Sequence, residues 1–305
     1  MSATTLKIIA VICMTLDHLS TYLGAPLPLR YVGRFAAVIF FFCAAESAVH
    51  TRDRKQYLRR LYKMNLVMAG LTLVIPFILG GLIPGKDFPQ VQNNIFSQLV
   101  PGVWIIDILE STKNDPKKRK RRFRNFAIYQ SALIPVGLLY DALDAAFPRL
   151  FLLNLPRAVI GGLFGSLFAT EGMLWLTLLI VFFYLWRDSK KKLAIGYSVY
   201  CALYALIMLP QLPARFFWFM HWRVQKIDDN IVLFVLGILG FDGMQGIYPL
   251  SESLLQYNFQ CFMILALPLL LLYNGKRGKG FKKFFYIYYP AHIYVLYLIQ
   301  RLVLN

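Results

Sequence analysis

The run LKIIAVICMTLDHLSTYL, from Leu6 to Leu23, decides the fold class. It is long enough and apolar enough to cross a bilayer, which takes about 20 predominantly apolar residues. Two ionisable neighbours, Asp17 and His18, stand in its middle. Such groups are expensive at membrane depth, so each marks a candidate functional position. A second intramembrane histidine, His292, sits the same way in FFYIYYPAHIYVLYL, Phe284 to Leu298.

Composition agrees with the membrane reading. The chain has 305 residues, 58% hydrophobic and 16% charged, with a mean hydropathy of +0.54. Soluble domains are less apolar and carry roughly 25% charged residues. Its net charge of +18 falls in short bursts between apolar runs, as cytoplasmic loops do, so it does not point to nucleic acid. Anionic headgroups and phosphorylated cytosolic ligands are the partners such bursts suit. The four cysteines, Cys13, Cys43, Cys201 and Cys261, lie singly in apolar runs and read as small buried hydrophobes. No metal site is expected from their spacing.

Nine apolar segments follow: 6–24, 31–49, 61–83, 94–110, 125–142, 171–187, 193–210, 256–274 and 282–304. Two more, 157–168 and 231–247, are short and Gly-rich and leave crossing open, so about nine to eleven transmembrane helices are expected. Four loops are strongly basic: Arg52 to Lys63, Lys113 to Arg124, Arg187 to Lys192 and Lys276 to Lys283. With all four inside, nine spans alternate without conflict and the N-terminus is cytoplasmic. The expected architecture is all-α: one polytopic helical domain over residues 1–305, in the inner membrane. The first segment is expected to be retained rather than cleaved. The aromatic stretch Phe216 to Trp222 reads as an interfacial belt.

Asp17 and His18 point about 100° apart on a helix. One is thus placed to line a cavity and the other to tie to a neighbouring helix. Arg34, a few residues into the second span, reaches a similar depth and is the candidate partner of Asp17. An interhelical staple is the bland reading of that pair. His18 as a general base is the functional one. Pro290 disturbs the last helix near His292, and neighbouring tyrosines supply polar groups. Glu46 and His50 share a helix face, followed by the basic run HTRDRKQYLRRLYK, which is suited to phosphates or to orientation alone. The run Lys113 to Arg124 reads as an orientation signal. The turn Asn274-Gly275-Lys276-Arg277-Gly278 combines glycines with two cations, a pattern that lets backbone amides approach an anion. No nucleotide-binding P-loop, serine elbow, HExxH or CxxC is present, which argues against an ATP-driven pump, a serine-elbow hydrolase and a zincin.

Four blocks carry a family resemblance: LKIIAVICMTLDHLS, LRYVGRFAAVIFFF, AESAVHTRDRKQYLRRL and FMILALPLLLLYNGKRGKGFKKFFYIYYPAHIYVLYLI. Together they resemble the TraX family of membrane proteins, named for the protein that acetylates conjugative pilin. The likeness is best over roughly the first 80 and last 50 residues. It implies a transmembrane acetyltransferase that takes its acetyl group from cytosolic acetyl-CoA, with no metal. In that light His18, Asp17, Arg34 and His292 are the expected catalytic set, with the two imidazoles expected to meet in one wet chamber that a cytosolic thioester can reach. Glu46, His50 and Arg52 match a Glu-x-x-x-His-Thr-Arg block. Together with Arg54, Asn274, Lys276 and Arg277 they form the expected acetyl-CoA site, with Arg52, Arg54, Lys276 or Arg277 on its phosphates. The acceptor stays open between a pilin amine, a surface glycan and a small metabolite. A transporter or flippase using Asp, His and Arg as a proton relay is the alternative.

Overall fold

The computed structural model describes residues 1–91, 93–146, 162–167, 173–224, 229–239, 241 and 247–304. Among them there are helices and no strands: α1 (Ala3–Leu23), α2 (Pro28–His50), α3 (Arg54–Leu82), α4 (Ile95–Ser111), α5 (Pro116–Ala146), α6 (Met173–Trp186), α7 (Lys190–Met208), α8 (Leu212–Phe219), α9 (Asp229–Leu239), α10 (Leu250–Glu252), α11 (Leu267–Leu271) and α12 (Lys282–Ile299). Short π and 3-10 segments extend α8, α10, α11 and α12.

Each of the nine apolar segments drawn from sequence coincides with a helix or a helical pair. Length and apolarity separate them. Four helical stretches among the described residues are long and apolar enough to cross a membrane: Ala3–Leu23, Pro28–His50, Arg54–Leu82 and Lys190–Val224. The pair Leu250–Tyr257 and Phe259–Leu271, bent by 70°, makes a fifth if it is one span. By contrast α4 has 17 residues, short of a bilayer's thickness as a straight helix, and the described part of α6 has 14. The chain is thus an all-helical protein with several membrane-capable helices.

Local chemistry sets the helix ends. Ser2 caps α1 by accepting from the Thr5 amide, and Gly24 closes it in the left-handed region at φ 68°, its own N–H bonded to Leu19 O. Asp53 caps α3 through the Gln56 amide at 2.8 Å, and Asp115 accepts from the Lys118 amide at 2.8 Å at the start of α5.

The chain divides into two compact units, Met1–Glu46 with Phe182–Asn305, and Ser47–Val181. In the first, Phe217 packs with Val232 and Leu236, so the belt Phe216 to Trp222 turns one ring inward. Trp222 and Phe219 stay exposed, as a bilayer interface would use them. Cys13, Cys43 and Cys201 are buried, Cys261 is half-buried, and none is in a disulfide.

In the second unit, Ile105, Ile108, Phe126, Leu167 and Val181 form a core. Of the Gly-rich stretch 157–168, only 162–167 is among the described residues, and its backbone is not left bare. Gly162 O accepts from Asn65 Nδ2, Leu163 O from Tyr62 at 2.5 Å, Phe164 O from Tyr129 at 2.6 Å and Gly165 O from Gln130 at 3.1 Å. Four successive carbonyls thus each meet a side chain from α3 or α5. The carbonyls at the end of a helical turn lack partners within it, and these side chains supply them. Residues 240 and 242–246 of the other short stretch, 231–247, lie outside the described residues.

Candidate functional site

The two histidines that stand in apolar runs meet. His18 of α1 and His292 of α12 lie in the first unit, with Nδ1 of His18 2.8 Å from Nε2 of His292. Their rings are within 10° of parallel with centroids 4.9 Å apart, the spacing of two imidazoles bonded nearly edge to edge. Both residues are buried.

The partners fix the protons. His292 Nδ1 is 2.8 Å from the backbone oxygen of Tyr288. A carbonyl only accepts, so His292 Nδ1 carries the hydrogen. In the neutral ring His292 Nε2 is then a lone pair, and His18 Nδ1 must donate to it. His18 Nε2 is left with its own lone pair and no hydrogen-bond partner among the described residues. A backbone carbonyl therefore selects the tautomer of one histidine, and that histidine selects the tautomer of the other. Tyr288 adds its ring, parallel to His292 at 5.0 Å, and its hydroxyl, 2.7 Å from Thr15 Oγ1 of α1.

Asp17, the neighbour of His18, turns to α2. It pairs with Arg34 Nη2, and Arg30 Nε stands 3.7 Å from its other oxygen. Arg34 also reaches Gln260 Oε1 at 3.3 Å, and both guanidiniums lie over the ring of Phe259, at 4.6 Å for Arg30 and 5.1 Å for Arg34. Arg30, Gln260 and Phe259 were not singled out from sequence. Arg30 carried a usable signal, since it precedes Arg34 by one helical turn. Two guanidiniums share one carboxylate here, which leaves a surplus positive charge one residue from His18.

Gly33 permits this geometry. A Cβ there would run into the Asp17 side chain close to its backbone, where no rotamer change clears it. Gly33→Ala is therefore expected to destabilise by about 1–3 kcal/mol, the usual range for overpacking. Gly70→Ala, where a Cβ meets nothing within 4 Å, is the matched control and should be neutral or slightly stabilising. Thermal unfolding in detergent separates the two.

The residues expected around acetyl-CoA fall in different places. Glu46 hydrogen-bonds the Tyr273 side chain in the first unit. His50 ends α2, Arg52 lies in the bend after it, and Arg54 opens α3, all in the second unit. The turn at Asn274 spends its carbonyls on the N-terminal residues: Lys276 O accepts from the Ala3 amide at 2.9 Å and Arg277 O from the Thr4 amide at 3.1 Å. The Lys276 amide is taken by Asn274 Oδ1 at 3.0 Å, while the Lys276 and Arg277 side chains are exposed. Gly278, at φ 77°, packs so closely on Ser2 that a side chain would collide. Among the described residues no group of three His, Cys, Asp or Glu side chains could hold a metal ion.

One acid was overlooked in the sequence. Asp107, buried in α4, pairs with Arg54 at 3.5 Å and Arg122 at 3.1 Å. The basic run Lys113 to Arg124 is thus more than an orientation signal. Two of its members hold α4: Arg122 through Asp107, and Arg119 through the carbonyls of Thr112 and Lys113.

No curated protein and no solved structure matches the chain. A family model described as TraX protein matches residues 2–145, which include Asp17, His18, Arg30, Arg34 and Asp107. By that match residues 2–145, a little under half of the chain, are similar to the TraX family.

Proposed function

We propose that the protein is a membrane-embedded acetyltransferase, with acetyl-CoA as cytosolic donor and an amine or hydroxyl as acceptor at or beyond the outer face. The observation that carries this reading is the chain from Tyr288 O through His292 to His18, which leaves a lone pair on His18 Nε2 in a helix long enough to span a membrane. The family is consistent with a pilin acceptor, and a surface glycan or small metabolite fits the same chemistry. We place the protein in the inner membrane as one multi-pass domain with its N-terminus cytoplasmic and nine or more crossings, the shorter helices included. No nucleic acid and no resident metal take part in this scheme.

In the mechanism, His18 Nε2 accepts the proton from the acceptor N–H or O–H as that atom attacks the thioester carbonyl. The positive charge that forms on His18 is shared with His292 through the Nδ1–Nε2 bond. Arg34, held by Asp17, is the nearest fixed cation for the oxyanion. When the C–S bond breaks, the imidazolium returns its proton to the leaving thiolate. The products are the acetylated acceptor and CoA, and His18 is neutral again.

The test uses purified protein in detergent with acetyl-labelled CoA. Slow thioester hydrolysis, or label appearing on an acceptor, supports the transferase. Counterflow in vesicles that needs no CoA, with no thioester loss in detergent, would support the carrier reading and contradict this one.

A further inference from the structure

The Asp107 cluster in the second unit has an asymmetry that a purely structural clamp does not need. Arg122 is fully engaged: Nη2 donates to Asp107 Oδ2 at 3.1 Å, and Nη1 donates to the Ser111 hydroxyl one turn further along α4. Arg119 is engaged at the carbonyls of Thr112 and Lys113, just past the end of α4. Arg54 is not. Its Nε stands 3.5 Å from Asp107 Oδ1 and makes no hydrogen bond. Its two Nη groups have no acceptor among the described residues. The carboxylate faces the Nε side of this guanidinium and holds it through charge alone, and the two Nη groups stay uncommitted among the described residues.

The charges reinforce the point. Asp107 is 7% exposed, whereas the Arg54 and Arg122 side chains are 27% and 30% exposed. The negative charge is therefore at the base of the cluster and the positive charges face outward, with two guanidiniums to one carboxylate. A planar fork fixed in this way matches two oxygens of a phosphate. Without its anchor, Arg54 would be one more mobile cation in a basic loop.

We infer that Asp107 is a positioning residue for Arg54, and that the Arg54 fork binds a phosphate group of a phosphorylated cytosolic ligand. This rests on the donor reading above, in which that ligand is CoA. Arg122, tied to Ser111, buttresses the carboxylate from the far side and fixes its orientation toward α3.

The experiment measures CoA binding to the full-length protein in detergent by calorimetry at fixed ionic strength, with pantetheine as the phosphate-free comparison. Wild type should bind CoA well above pantetheine. Arg54→Gln should weaken CoA binding tenfold or more and leave pantetheine binding where it was. Arg54→Lys, which keeps the charge without the fork, should recover only part of the loss. Asp107→Asn should weaken CoA binding several-fold, and in thioester hydrolysis its loss should fall on KM rather than on kcat. If wild type fails to bind CoA, the donor reading is wrong and this inference falls with it. If wild type binds CoA while Arg54→Gln and Asp107→Asn bind it equally well, the donor reading stands and the positioning role is refuted. Should Asp107→Asn not fold, Arg54→Gln decides alone, because no contact of the fold uses that fork.

Discussion

Turnover is expected to fall by about 10²–10⁴ in His18→Ala, the usual contribution of general-base help, while CoA binding changes little. The expectation follows from which atom is removed. His18 Nε2 is the one dyad nitrogen that the hydrogen-bond chain leaves free to accept a proton. His292 acts differently: it fixes the tautomer of His18 and shares its charge, and it touches no reacting atom. His292→Ala removes the acceptor of His18 Nδ1–H and lets either tautomer form. His292→Gln can accept from His18 with its carbonyl and donate to Tyr288 O with its amide. It should therefore retain clearly more activity than His292→Ala. Equal losses in the two variants would show that His292 does more than position.

Asp17→Asn is expected to cost stability rather than chemistry first, by about 3–5 kcal/mol, the range for breaking one side of a buried ion pair. Asp17 is 8% exposed and is the carboxylate shared by Arg30 and Arg34. Its loss strands two guanidiniums beside a helix long enough to span a membrane, where an unpaired charge is costly. Removing Arg34 as well should restore part of the stability, since residues in one ion-pair network are not additive. Denaturant unfolding of Asp17→Asn, Arg34→Gln and the double variant measures the coupling. Strictly additive losses would mean that the pair contributes nothing beyond its separate members.

The elements of this protein were legible in the sequence because apolar runs and basic loops are local signals. Each of the nine apolar segments met a helix or a helical pair, and α4, drawn as 94–110, runs Ile95–Ser111, so its shortness was already legible in the sequence. The Asp17–Arg34 pair was legible too, from rise per residue on two helices joined by a short turn. The meeting of His18 with His292 was expected from the acetyltransferase reading, and the structure brings the rings together, although no local signal carries it. Each stood out as a polar residue in an apolar helix, but 274 positions separate them and nothing local brings them together. Asp107 carried the same kind of signal as Asp17, one acid within an apolar segment. It lies beside a basic loop, and only packing shows that it is buried. The roles of Tyr288 O and Gln260 depend on backbone and side-chain direction, which residue spacing does not encode.

The dyad can be observed directly, because the chain has four histidines in all, His18, His50, His221 and His292. Labelling their ring nitrogens with ¹⁵N, and assigning each by single replacement with glutamine, reports which nitrogen carries hydrogen at neutral pH. The prediction is a proton on Nδ1 of both His18 and His292 with both Nε2 atoms bare, and loss of that order at His18 in His292→Ala. A proton found on His18 Nε2 with Nδ1 bare in the wild-type protein would contradict the base assignment and the hydrogen-bond chain on which it stands.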